Sequence, residues 1–196
     1  MPVTFGLSQV PPIFTGTATA LAGFTLLPVI FAIVAGASAT LAARSNPASR
    51  TALPVYAVDL RYGVLLDIGT KVYESRPVDV TMGHLNAIWQ GDANSVCLRS
   101  FALCQSPPSV LNLTGTEVLA VRDIAARFGE LLGHQPVLQG READTALLNN
   151  AGRCHGVFGR PSVDANTVIE WTARWIQAGG TTWAKPTHFE TRDGRF

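Results

Sequence analysis

No aspartate, glutamate or lysine occurs in the first 58 residues, where Arg44 and Arg50 carry the only side-chain charges. Across the 196 residues charged side chains make up 15%, against roughly a quarter in an ordinary soluble domain, while apolar residues reach 47%. The formal net charge of +1, without any lysine or arginine run or basic patch interleaved with aromatics, gives no field that gathers nucleic acid. Nucleic acid is not an expected partner. Cysteine is sparse as well: Cys97, Cys104 and Cys154 form an odd set with no Cys-x-x-Cys pair, so no structural zinc site is expected. Free thiols in a reducing compartment are the natural reading. Cys97 and Cys104, seven apart in an expected helix, share a face and read as core packing. The histidines are scattered, and His155 beside Cys154 reads as an ordinary side chain.

The apolar excess is local. Residues 17–43 read TATALAGFTLLPVIFAIVAGASATLAA without one charge, and about 20 apolar residues suffice to cross the roughly 30 Å hydrocarbon layer of a bilayer. Three readings stand side by side. A transmembrane helix would bend near Pro28, with Arg44 and Arg50 keeping the following domain cytoplasmic. A cleaved signal peptide is suggested by the small-x-small triplet Ala37-Ser38-Ala39 but lacks a basic start. A segment without evolved structure would follow from a misplaced start or a shifted reading frame. The organisation expected is an apolar leader over 1–55, with a possible apolar helix, and a domain over 56–196 that is cytoplasmic whether or not the leader anchors it.

From Asp59 onward acids and bases alternate as in a globular domain, and no repeat of fixed period is present. Leu60, Val64, Leu65, Ile68 and Val72 recur at helical spacing, which predicts a helix over 59–74 ending before Pro77. Residues 78–81 alternate as a short strand, 82–84 turn, and 85–89 alternate again. A helix then runs from about Asp92 to Gln105, with Ala93, Val96, Cys97 and Phe101 facing the core. Residues 109–113 read as a buried strand and 114–117 as a turn-rich loop. The strongest helical pattern follows, with Val121, Ile124, Ala125, Phe128, Leu131 and Leu132 on one face and Gly133 as its stop. A strand over 136–139, a short helix over 150–158, a helix over 166–178 bearing Trp171 and Trp175, and a polar aromatic tail from Lys185 to Glu190 complete the chain. Short strands alternating with helices define an α/β class.

Four phrases in this order carry a family resemblance: YAVDLRYGVLLDI at 56–68, NAIWQGDAN at 86–94, VLNLTGTEVLAVRDIAARFGELLG at 110–133 and ALLNNAGRCHGVFGRP at 146–161. Together they resemble the carboxy-terminal region of NAD-dependent epimerase/dehydratase proteins, the extended branch of the short-chain dehydrogenase/reductases. The resemblance implies the substrate-binding part of a Rossmann-type fold. It departs from the family at Ala120, where a serine would cap the next helix.

Intact relatives transfer a hydride at a sugar carbon, with NAD(P) on a glycine loop after the first strand and a Tyr-x-x-x-Lys pair removing the hydroxyl proton. Neither motif is found here: Tyr56, Tyr62 and Tyr73 are followed four positions on by Leu60, Leu66 and Pro77. The expectation is therefore a truncated relative that binds no cofactor alone and recognises a sugar-nucleotide-like substrate without turning it over. The alternatives are a membrane-anchored binding module and a non-catalytic subunit docking on a full-length relative. By resemblance the cleft is lined by Tyr56 and Arg61 and by Asn86, Trp89, Gln90 and Asp92. Arg61 would pair with a phosphate, Trp89 stack on a ring, and Asn86, Gln90 and Asp92 bond hydroxyls. Each has a plainer reading: Arg61 as a solvated helix residue, Trp89 as a core anchor, Asp92 as a helix cap.

Overall fold

The structure, a computed structural model, describes residues 56–103 and 111–191. The leader with its apolar stretch 17–43, Cys104 and Gln105 lie outside the described residues. Among those described, no helix is long and apolar enough to cross a membrane.

The elements run β1 (Tyr56–Val58), α1 (Val64–Tyr73), β2 (Val78–Asp79), β3 (His84–Leu85), β4 (Ala87–Trp89) and α2 (Gln90–Ser100). They continue with β5 (Leu119–Ala120), α3 (Val121–Leu132), β6 (Leu138–Gln139), α4 (Gly152–Phe158) and α5 (Ala165–Gln177). β1 pairs in parallel with β4, Tyr56 opposite Ala87 and Val58 opposite Trp89. β2 pairs in parallel with β6, and β3 antiparallel with β5.

The β1·β4 pair explains the layering. Successive strand residues point to opposite faces, and here Val58, Tyr56, Ala87 and Trp89 pack on one cluster while Ala57 and Ile88 pack on another. Both faces are thus covered, as parallel strands require. The larger cluster joins α1, α3 and α5 through Leu65, Ile68, Val72, Ile124, Phe128 and Val168. The smaller holds Val96 of α2, Leu111, Leu113 and Cys154 of α4. This is a mixed α/β arrangement, the class expected.

Two helix ends follow from local chemistry. α3 stops where Gly133 enters the left-handed region at φ 74° and its N–H returns to the Gly129 carbonyl at 2.9 Å. Ala120 precedes α3 without a side-chain cap. α5 starts at Asp164, whose carboxylate accepts the Thr167 N–H at 2.7 Å and is held below the ordinary aspartate value by that bond.

Several expectations need correction. The helix predicted from Asp59 starts at Val64, because Gly63 sits at φ 136°, outside helical space, and Asp59 and Tyr62 close a bridge of their own. The apolar spacing counted Leu60 into a helix that backbone geometry had already excluded. The strand expected over 85–89 divides at Asn86 into β3 and β4, which join different partners. Of the strand expected over 109–113, residues 111–113 are described and make no strand, although Leu111 and Leu113 are buried, and the pairing of β5 with β3 was not foreseen. The helix expected to reach Gln105 ends at Ser100, with a single tighter turn over Phe101–Leu103.

Candidate functional site

Of the six residues singled out, Arg61 lines one cleft and Asp92 a separate cavity. Arg61 is exposed at the turn between β1 and α1 and pairs with Asp59 at 3.3 Å, while its backbone N–H donates to the same carboxylate at 3.0 Å. Burial pushes the Asp59 carboxyl upward, but these bonds and the Arg61 charge outweigh it and hold the group below its ordinary value. The Arg61 guanidinium stands 5.3 Å from the Trp183 ring, which stacks on Tyr62 with centroids 5.6 Å apart.

Trp183 belongs to a strap, residues 181–191, that crosses α1. Its backbone N–H donates to the Arg61 carbonyl at 3.0 Å. Further on, the Thr187 N–H and hydroxyl both donate to Asp67. Phe189 is buried in the core at 1% exposure, with the Lys71 ammonium 5.3 Å from its ring. Between strap and helix lies a cleft of about 280 Å³ whose walls carry Arg61, Lys71, Arg76 and Lys185, with Asp67 and Glu190 as the acids. Tyr56 reaches the inner end of the strap, its hydroxyl donating to the Phe189 carbonyl at 3.5 Å. Burial, with Glu190 nearby, pushes this phenol up to about 12, far from the range of a proton-abstracting base near neutral pH.

The other four stand elsewhere. Asn86, 4% exposed, donates to the Asn149 carbonyl at 2.7 Å and accepts the Asn149 N–H at 3.3 Å. Trp89 meets Trp171 edge to face, centroids 5.4 Å apart. Gln90 donates to Asn94 at 2.8 Å. Asp92 accepts the Ser162 hydroxyl at 2.6 Å and the Val163 N–H at 3.0 Å, tying the first turn of α2 to the loop before α5. The six therefore do not line one cavity.

Sequence reasoning passed over Asp67, Lys71 and Lys185. One signal was available: Asp67 is the lone charge in Val64–Gly69, an apolar run, and a charge embedded there needs a partner.

Among the described residues no cluster of glycines follows a strand in the way a nicotinamide dinucleotide's pyrophosphate requires. The glycine-richest phrase, Gly152, Gly156 and Gly159, lies along and just past α4 rather than after a strand, and Gly156 and Gly159 border open space. A pyrophosphate loop needs a strand-to-helix turn with glycines at close approach.

No family model and no curated protein matches the chain. Among solved structures, the UDP-glucuronic acid 4-epimerase of Bacillus cereus in complex with NAD superposes with a TM-score of 0.50 at 13% identity, over 63% of this chain and 42% of that one. The UDP-glucose 4-epimerase of Thermotoga maritima, solved with UDP-glucose, gives 0.49 at 14% identity, over 64% and 44%. That of Thermus thermophilus with NAD gives 0.48 at 16%, over 63% and 44%. The chain spans less than half the length of each. Over the matched residues the chain shares the fold of part of the Bacillus cereus enzyme, which bears out at the level of fold the resemblance drawn from the sequence.

Proposed function

We propose that residues 56–196 are the substrate-side domain of an NAD-dependent epimerase/dehydratase-type protein, with 1–55 a separate leader. In this reading the domain binds an anionic, sugar-nucleotide-like molecule and does not transform it alone. The observation that carries the reading is the cleft between α1 and the strap, where four cationic side chains gather within a sugar-epimerase fold. Arg61, already oriented by Asp59 and Trp183, is the phosphate ligand. Tyr56 holds the strap, Asn86 and Asp92 brace the domain through backbone groups, and Trp89 with Gln90 completes the surface at the start of α2. NAD(P) belongs to the half that supplies the glycine loop and the Tyr-Lys pair.

Calorimetric titration of the full chain with UDP-glucose tests this. Saturable binding is expected, weakened about tenfold in Arg61→Gln, a loss in the range of a charge-assisted hydrogen bond. Stoichiometric NADH binding with unaided epimerisation, or no UDP-glucose binding at millimolar concentration, would sink the reading.

A second reading, docking on a nucleotide-binding half carried by another chain, is favoured by β1. Among the described residues this strand is paired along one edge, with β4, and its other edge offers backbone groups to a further strand. Co-elution with a full-length relative at the mass of a heterodimer is the expected result; two separate peaks would rule it out.

A further inference from the structure

On the far side of β4 from the strap, α2 and α4 enclose a second cavity, of about 180 Å³. Asp92, Ser95, Val96 and Arg99 reach it from α2, and their spacing of three, four and seven residues places them on one helical face. Cys154, His155 and Phe158 reach it from α4, and Arg160 from the loop beyond.

Its charges are unevenly engaged. The one lining carboxylate, Asp92, has both oxygens committed, to Ser162 and to the Val163 N–H. Neither Arg99 nor Arg160 has an ion-pair partner among the described residues. The Arg99 guanidinium is instead held over the Phe158 ring at 5.1 Å, which orients the fork while leaving its N–H donors available. Its field reaches the neighbouring thiol: burial pushes Cys154 up and Arg99 pulls it partly back. His155 lies 3.0 Å through Nε2 from the Thr114 carbonyl; a carbonyl only accepts, so Nε2 carries the hydrogen and the ring is fixed.

We infer that this cavity is a binding site for a single phosphoryl group, as free phosphate or at the end of a small phosphorylated metabolite, held by Arg99 and Arg160. Two guanidinium groups without carboxylate partners suit a tetrahedral dianion, to which arginine donates in pairs. At about 180 Å³ against about 280 Å³ for the Arg61 cleft, the cavity suits the smaller guest. The site is separate from the Arg61 cleft and does not rest on the function proposed for it.

Titration of the full chain with inorganic phosphate, at constant ionic strength and with acetate as comparison anion, tests the assignment. Phosphate is expected to saturate one site that Arg99→Gln and Arg160→Gln each weaken at least fivefold, with Arg174→Gln, on the exposed side of α5, unchanged. Free phosphate and a phosphate monoester such as glycerol phosphate, titrated in parallel, distinguish the two sources by which binds more tightly. Should either variant fail to fold, phenylglyoxal labelling of the unaltered chain reads the same point: phosphate should protect the Arg99 and Arg160 peptides from modification. Absence of saturation, equal binding of acetate, or labelling of both arginines regardless of phosphate would overturn the proposal.

Discussion

Thr187 gives both its backbone N–H and its hydroxyl to one oxygen of Asp67, 120 residues earlier in the chain. A carboxylate set in an otherwise apolar stretch of α1 is thereby satisfied by the strap, and the strap is held against the helix. Asp67→Ala should free residues 181–188 to move, increase proteolysis there and lower stability by about 2 kcal/mol, within the range for bonds to a charged acceptor. Limited proteolysis with mass spectrometry checks the first effect and a urea melt the second. An intact strap in the variant would show that Phe189 and the Trp183 contacts with Arg61 and Tyr62 hold it without Asp67.

Asn86 serves the backbone at Asn149 rather than open solvent. Its removal in Asn86→Ala strands a buried N–H and carbonyl, so a loss of about 2–4 kcal/mol is expected for the two groups together. Chemical denaturation gives the value, and a change below about 0.5 kcal/mol, the scale of an ordinary surface substitution, would point to a role in ligand contact instead.

Tyr56 sets an alkaline limit. Its phenol is raised from 10.0 to about 12 in the folded chain, so between those values the folded form keeps a proton that the unfolded form releases. Stability from this group is complete below pH 10 and declines as pH rises toward 12, by up to about 3 kcal/mol at 1.36 per unit. In Tyr56→Phe that part of the decline should vanish. Parallel melts at pH 9 and pH 11.5 compare the two proteins, and identical slopes would refute the assignment.

Ala120 leaves the first turn of α3 without a side-chain acceptor although its backbone is extended, at φ −78° and ψ 130°, as a capping residue requires. Ala120→Ser should supply the missing acceptor and stabilise the chain by up to about 1 kcal/mol. Differential scanning calorimetry would register a higher melting temperature; an unchanged one means the hydroxyl faces β3 instead.

Much of this was readable beforehand where one local signal dominates. The apolar stripe of Val121, Ile124, Ala125 and Phe128, closed by Gly133, announced α3, and α5 falls within a residue of its expected span because Asp164 and Thr167 cap it locally. Asp59 misled because an acid before an apolar run looks like a helix start, whereas its carboxylate closes a turn with Arg61. The tail misled because a single aromatic in a polar stretch carries no period, yet Phe189 is the residue that enters the core.

What the amino-acid order determined by itself is the class of the fold and that neither a G-x-x-G-x-x-G phrase nor a Tyr-x-x-x-Lys pair is spelled in these 196 residues, since periodicity and motif spacing are local properties of a chain. Only the tertiary structure decided which polar residues stand in a cleft and which are spent on the backbone. Asn86 meets Asn149 across 63 residues, Asp92 meets Val163 across 71 and Asp67 meets Thr187 across 120. Such pairings arise because buried polar groups must find partners wherever packing brings them together, and that choice is made by the folded core as a whole.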